Sequence, residues 1–233
     1  AINLIDGIDG LAAGIGVLVC SVTGLWFYGV GALGYAIIST AVAASLLAFM
    51  RFNLFSDKNK IFMGDTGSLI LGVILGVIAI TFNELNASVA QPFHFNHAPL
   101  MVIGLLIVPA TDTIRVFAIR IYHKKSPFSP DTNHIHHLLI KAGLPHLAAS
   151  CLLFGYTIFF TMLALTLPLY VDITTGFVLL LASSFLAVAA IHFKSKQIEA
   201  AKSEEAQSIK IIRLLPVEAK VSDRRSNLRR KNS

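Results

Sequence analysis

Three polar stretches interrupt an otherwise apolar chain, and each holds residue types able to handle phosphate and metal. The first is Asn3-Leu4-Ile5-Asp6-Gly7-Ile8-Asp9-Gly10. In a helix its two carboxylates, three residues apart, would share a face, and the glycines would let a backbone or ligand come close. Asp9 alone could instead cap the following helix by accepting its first amides. The second stretch is Ile61-Phe62-Met63-Gly64-Asp65-Thr66-Gly67-Ser68, preceded by Asn53. Asp65 sits at a helix start, where a carboxylate either caps the amides or, beside the positive dipole end, holds Mg²⁺ against phosphate.

The third stretch runs from Lys124 and Lys125 through Ser126-Pro127-Phe128-Ser129-Pro130-Asp131-Thr132-Asn133 to His134-Ile135-His136-His137. Pro130 and Asp131 predict a helix start and Gly143 its stop, a short amphipathic helix with His134 and His137 on one face. Three histidines in four residues beside lysines suit anion or phosphate binding, or zinc; the neighbouring sequence offers no cysteine or glutamate to complete a tetrahedral zinc set. A fourth pair, Asp112 and Arg115, lies inside an apolar run. Buried ionisable residues in a membrane are costly, so this is either a mutually neutralising structural pair or part of a polar site.

The elements that must position these residues are membrane spans. Of 233 residues, 55% are hydrophobic and only 14% charged, and the mean hydropathy is +0.72. That composition excludes an ordinary soluble domain and predicts an all-α, polytopic membrane protein. Six apolar runs, at about 11–29, 31–50, 67–83, 98–120, 147–167 and 173–193, have the ~20-residue length that crosses a bilayer as a helix. Pro109 predicts a kink in the fourth. Both cysteines, Cys20 and Cys151, fall in apolar runs and read as small hydrophobes.

Lys and Arg collect on one side: Arg51, Lys58, Lys60, Lys124, Lys125 and Lys141 lie in the connections there, and those on the other side have none. The positive-inside rule then puts residues 1–10, 51–66, 121–146 and the tail from 194 in the cytoplasm. All three polar stretches share that face. Residues 1–193 form the membrane-embedded domain and 194–233 a basic cytoplasmic tail, holding most of the 19 Lys and Arg, which reads as a solvated extension meeting anionic lipid headgroups, not nucleic acid.

Together, NLIDGIDGLAAG, FMGDTGS and KSPFSPDTNHIHHLL resemble the polyprenyl-phosphate N-acetylhexosamine-1-phosphate transferases, glycosyl transferase family 4, and within them the undecaprenyl-phosphate N-acetylglucosamine branch. The resemblance implies a Mg²⁺-dependent reaction, with Mn²⁺ as an alternative ion, in which a polyprenyl phosphate takes N-acetylhexosamine 1-phosphate from a UDP-sugar and UMP leaves. Its place would be the cytoplasmic face of a bacterial inner membrane, in cell-envelope polysaccharide synthesis, and a homodimer is compatible with it. It implies Asp65 as the metal ligand, Asp6, Asp9, His134, His136 and His137 as catalytic, and Asn3, Asn53, Asp112 and Lys125 as substrate-binding. The family also carries an aspartate-rich DDxxD-type motif and several spans upstream of these motifs. The sequence therefore reads as the C-terminal part of an enzyme and is expected to be inactive by itself. Two rival readings stay open: a transporter or channel lined by Asp112 and Arg115, and a zinc hydrolase built on the histidines.

Overall fold

The structure, a computed structural model, describes residues 1–56, 58–88, 94–127 and 134–214, except for the side chains of Glu199 and of residues 202–214. The described residues are mainly helical, joined by short turns and connections, with no strand among them. A one-turn helix α1 (Ile2–Ile5) leads into α2 (Leu11–Gly29), α3 (Leu33–Phe55) and α4 (Gly64–Ser88). There follow α5 (Ala98–Leu105), α6 (Ile107–Tyr122), the short α7 (Ile135–Lys141), α8 (His146–Thr166) and α9 (Ile173–Leu214). Five helices, α2, α3, α4, α8 and α9, are long and apolar enough to cross a membrane, and α5 with α6 makes a sixth if counted as one bent span. The chain is thus an all-α polytopic membrane protein.

Pro109 explains the bend. Without an N–H it cannot bond Leu105, and its ring crowds that carbonyl. The helix breaks at Leu106, a new one starts at Ile107, and Pro109 falls in its first turn, where no donor is needed. The two halves meet at 73°. The expected kink is therefore a full break, placed one turn ahead of the proline.

In lipid, helices associate through close packing more than through water exclusion. Gly104 shows this: a Cβ there would sit 2.8 Å from Ala164 Cβ and 3.0 Å from the Phe160 carbonyl oxygen, so α5 and α8 touch nearly backbone to backbone. Among the candidate spans α2 is the most enclosed; it packs against α3, α4 and α8. Near its C-terminal end Trp26 stands edge-on to Phe82 of α4, with ring centroids 4.6 Å apart. The polar stretches lie at the other end, where α2, α4 and α8 begin and α3 and α6 finish.

The observed ends differ from the apolar runs by a few residues. α3 begins at Leu33, after a turn with Gly31 at φ +78°, and reaches Phe55; α4 begins at Gly64 and continues to Ser88. Helices outlast the apolar stretch because their ends leave the membrane core and take polar partners. α9 likewise carries the helix from the last span into the tail, of which residues 215–233 lie outside the described residues.

Candidate functional site

Hydrogen bonds between residues far apart in sequence draw the first two polar stretches together. The Asn3 side-chain amide, on α1, donates to Asp65 Oδ1 at 3.0 Å and to Ser68 Oγ at 2.9 Å. Asp65 lies inside the first turn of α4, not ahead of it, so it does not cap that helix. Its charge instead sits near the amide end of the helix dipole, where a carboxylate is favoured. Asp6 follows α1 in the same neighbourhood: burial, and then the charge of Asp65, push its carboxyl up to about 6. Two carboxylates are thus crowded at one spot.

Asp9 does not cap α2 either. The cap residue is Gly10, at φ +75°, a backbone conformation that glycine adopts without strain. The Gly10 amide donates to Asn53 Oδ1 at 2.7 Å, and Asn53 Nδ2 donates to the Ile61 carbonyl at 2.9 Å. Asn53, buried at the end of α3, therefore ties the first stretch to the second. Asp9 is fixed from another side, its carbonyl accepting Ser150 Oγ of α8 at 2.6 Å. Its carboxylate takes Lys60 Nζ at 2.6 Å. A cavity of about 410 Å³ opens here, lined by Asp6, Asp9, Asn53, Lys60, Phe62 and His146 among others.

The histidine stretch docks on the same end through α6. His134 precedes α7 as its cap residue, with extended backbone. It therefore does not lie on a helix face beside His137; Pro130 and Asp131, expected to open that helix, lie outside the described residues. The Asp112 carboxylate, 1% exposed, accepts His134 Nδ1–H at 2.8 Å and the Ile135 amide at 2.9 Å, and pairs with Arg115 at 3.2 Å. Asp112 thereby caps α7 from another helix, and both of its oxygens are committed to protein partners. That geometry suits positioning of the histidines better than contact with substrate.

The rings of His134 and His136 stack, 5.7 Å apart and within 5° of parallel, with His137 4.2 Å from His136. His136 is 2% exposed. Burial, and then His137, hold its imidazole down to about 4, so it is neutral at physiological pH. Its Nε2 is buried and without a hydrogen-bond partner among the described residues. The ring abuts Gly7 through its Nε2 edge: a Cβ on Gly7 would come within 2.3 Å of Nε2. The third stretch thus touches the first.

Asn3, Asp6, Asp9, Asn53, Asp65, Asp112, His134, His136 and His137 accordingly gather at one end of the bundle. Lys125 is exposed just past the end of α6, at that same end of the bundle, with its amide bonded to the Arg120 carbonyl. Sequence reasoning passed over Ser68, Lys60 and His146. In the sequence Lys60 reads only as loop charge. His146 had one available signal, a polar residue at the start of an apolar run, after Gly143 and Pro145, on the face already marked by the other stretches.

No set of three or more His, Cys, Asp or Glu that could hold a metal occurs among the described residues. The Asp6–Asp65 pair still suits Mg²⁺, which commonly takes one or two carboxylates and completes its shell with water and phosphate oxygens.

Residues 1–83 match the model of glycosyl transferase family 4. The chain is 37% identical over 166 residues to a decaprenyl-phosphate N-acetylglucosaminephosphotransferase of Mycolicibacterium smegmatis, covering 66% of this chain and 40% of that protein. It is 35% identical over 167 residues to a probable undecaprenyl-phosphate N-acetylglucosaminyl 1-phosphate transferase of Bacillus subtilis, 72% of this chain and 44% of the relative. With the undecaprenyl-phosphate alpha-N-acetylglucosaminyl 1-phosphate transferase of Escherichia coli K12 the identity is 34% over 147 residues, 61% and 38% of the two chains. The chain thus spans about two fifths of the length of these curated relatives. No solved structure matches it.

Proposed function

We propose that this chain, which belongs to glycosyl transferase family 4 through residues 1–83, carries part of a site that moves N-acetylglucosamine 1-phosphate from UDP-N-acetylglucosamine to a polyprenyl phosphate. In the reaction an oxygen of the carrier phosphate bonds to the β-phosphorus, the bond from that phosphorus to the bridging oxygen breaks, and UMP leaves. The names of the relatives support the polyprenyl phosphate acceptor and the N-acetylglucosamine phosphate that is moved, and the UDP donor follows from the resemblance of the motifs. The observation that carries the reading is the junction of Asn3 with Asp65 and Ser68, because it joins two segments that are chemically meaningful only together.

Phosphoryl transfer between two charged phosphates calls on positioning and charge neutralisation more than on covalent help. Asp65, with Asp6 beside it, would hold Mg²⁺, which when bound neutralises phosphate oxygens and polarises the phosphorus. Asn3 orients Asp65; Asn53 sets the turn that presents Asp9; Asp112 fixes His134 and the start of α7. The Asp112–Arg115 pair is consumed in that bracing, which favours the transferase over a channel whose path those residues would line. The excess of lysine and arginine in the connections at this end supports a site facing the cytoplasm from the inner membrane.

The test uses membranes carrying the full-length gene product, UDP-N-acetylglucosamine, polyprenyl phosphate and Mg²⁺. UMP and a lipid diphosphate sugar should form in equal amounts, and Asp65→Asn should abolish both. Undiminished UMP release by that variant would sink the metal assignment, and a wild-type protein making neither product would sink the activity.

A further inference from the structure

The cavity beside Asp9 has a charge problem. Asp6 and Asp9 both line it; Mg²⁺ would answer the charge of Asp6, and Asp9 would still repel the anionic phosphates that the proposed reaction brings in. Some fixed positive charge must offset it. The histidine stretch is a poor source: His136 is neutral, as its burial dictates, and His134 is spent on Asp112. Lys125 is exposed past the end of α6 and is not among the residues that line the cavity.

The geometry points to Lys60 and His146 as the pair that grips a phosphate in this cavity. Both line it, from different elements: Lys60 from the segment before α4, and His146 as the first residue of α8. Lys60 is bound to Asp9, but both side chains are partly exposed, 36% and 21%. Such a pair contributes little stability and exchanges readily for a doubly charged anion. Asp9 meanwhile cannot drift, since Ser150 holds its carbonyl and Asn53 the next amide, so it works as a post that keeps the ammonium at the cavity wall. The Lys60 ammonium also lies 5.6 Å from the Phe62 ring centroid, a second restraint on the same stem.

His146 adds a ring nitrogen at the start of a 21-residue helix. The first amides of such a helix have no partners within it and its dipole favours anions there. The cavity, about 410 Å³, is of ligand-binding size. This inference rests on the transferase reading for the nature of its ligand, a phosphate group borne by either the nucleotide sugar or the lipid carrier.

The experiment compares Lys60→Met, Lys60→Arg and His146→Gln in the full-length gene product. Loss of one charge-assisted bond to phosphate corresponds to about tenfold in affinity. Lys60→Met and His146→Gln should raise KM about tenfold for one substrate with a smaller change in kcat, and Lys60→Arg should recover most of it. A rise for UDP-N-acetylglucosamine assigns the nucleotide's phosphates; a rise for polyprenyl phosphate assigns the carrier's. Equilibrium binding of UMP and of polyprenyl phosphate to detergent-solubilised protein gives the same comparison without turnover, so it stands even if the transferase activity fails. Wild-type affinity for both compounds in Lys60→Met and His146→Gln, with unchanged thermal stability, would overturn the assignment, as would a wild-type protein that binds neither.

Discussion

Asp112 of α6 and His134, the residue before α7, are joined side chain to side chain at 2.8 Å, 22 positions apart in the sequence. The same carboxylate takes the Ile135 amide, so one buried group both orients an imidazole and caps the helix that carries two more. The energetic weight of that arrangement is large because the carboxylate and the imidazole that it holds are both buried. Asp112→Ala would remove the acceptor of His134 and of the Ile135 amide, and breaking a buried pair from one side costs on the order of 3–5 kcal/mol. The variant should lose most thermal stability in detergent and most UMP release. Asp112→Asn keeps an acceptor for the Ile135 amide and should fall between the two. A stable, active Asp112→Ala protein would show that α7 is held by other means.

Gly7 tests the contact between the first and third stretches. An added methyl would overlap His136 Nε2 at 2.3 Å, and shifting a packed ring costs about 1–3 kcal/mol. Misplacement of a site group by about 1 Å can cost a hundredfold in rate. Gly7→Ala should therefore cut UMP release at least tenfold, whereas Gly76→Ala, with nothing within 4 Å of its new methyl, should leave activity unchanged. Equal activities in an assay of the two variants would remove His136 from the working site.

These relationships mark the limit of what spacing reveals. The spans were legible from apolar runs, and so was a disturbance at Pro109; that it becomes a break at Leu106 depends on the i−4 carbonyl having nowhere to go, a local steric matter. Residue type singled out Asp65 and Asn3, yet the bond between them crosses 62 positions, and no periodicity encodes such a pairing. Asp9 and Asp65 each had a capping alternative that the folded backbone removes, through Gly10 in the first case and a helix that starts one residue earlier in the second. Lys60 and His146 were obscured for opposite reasons: a lysine in a charged loop looks ordinary, and a histidine at a helix start looks like its polar end.

The Asp6–Asp65 crowding predicts a trade of stability against function. Asp6 is held up to about 6 by burial and by Asp65, so in divalent-free buffer at pH 7.5 its charge is a burden on the fold. Asp6→Asn should then raise Tm by a few degrees while abolishing transfer. Millimolar Mg²⁺ should raise the Tm of the wild type, because a ligand that binds only the folded state stabilises it. Neither Asp6→Asn nor Asp65→Asn should respond as strongly. A thermal shift series in which the wild type ignores Mg²⁺ would take the ion away from this pair.

The buried His136 sets the acid limit of the fold. Its imidazole is held down to about 4, against 6.5 for the free group, by burial first and His137 next. Between those values the unfolded chain binds a proton that the folded chain refuses, so stability is full above about 6.5 and is lost as pH falls towards 4. The loss is at most about 3 kcal/mol. Tm measured from pH 7.5 down to 4.5 should therefore drop more steeply for the wild type than for His136→Gln, which has no proton to accept. Parallel curves would mean that the ring is hydrated. If the curves diverge as expected, His136 meets any phosphate as a neutral hydrogen-bonding group, and the positive charge in the cavity has to come from side chains such as Lys60.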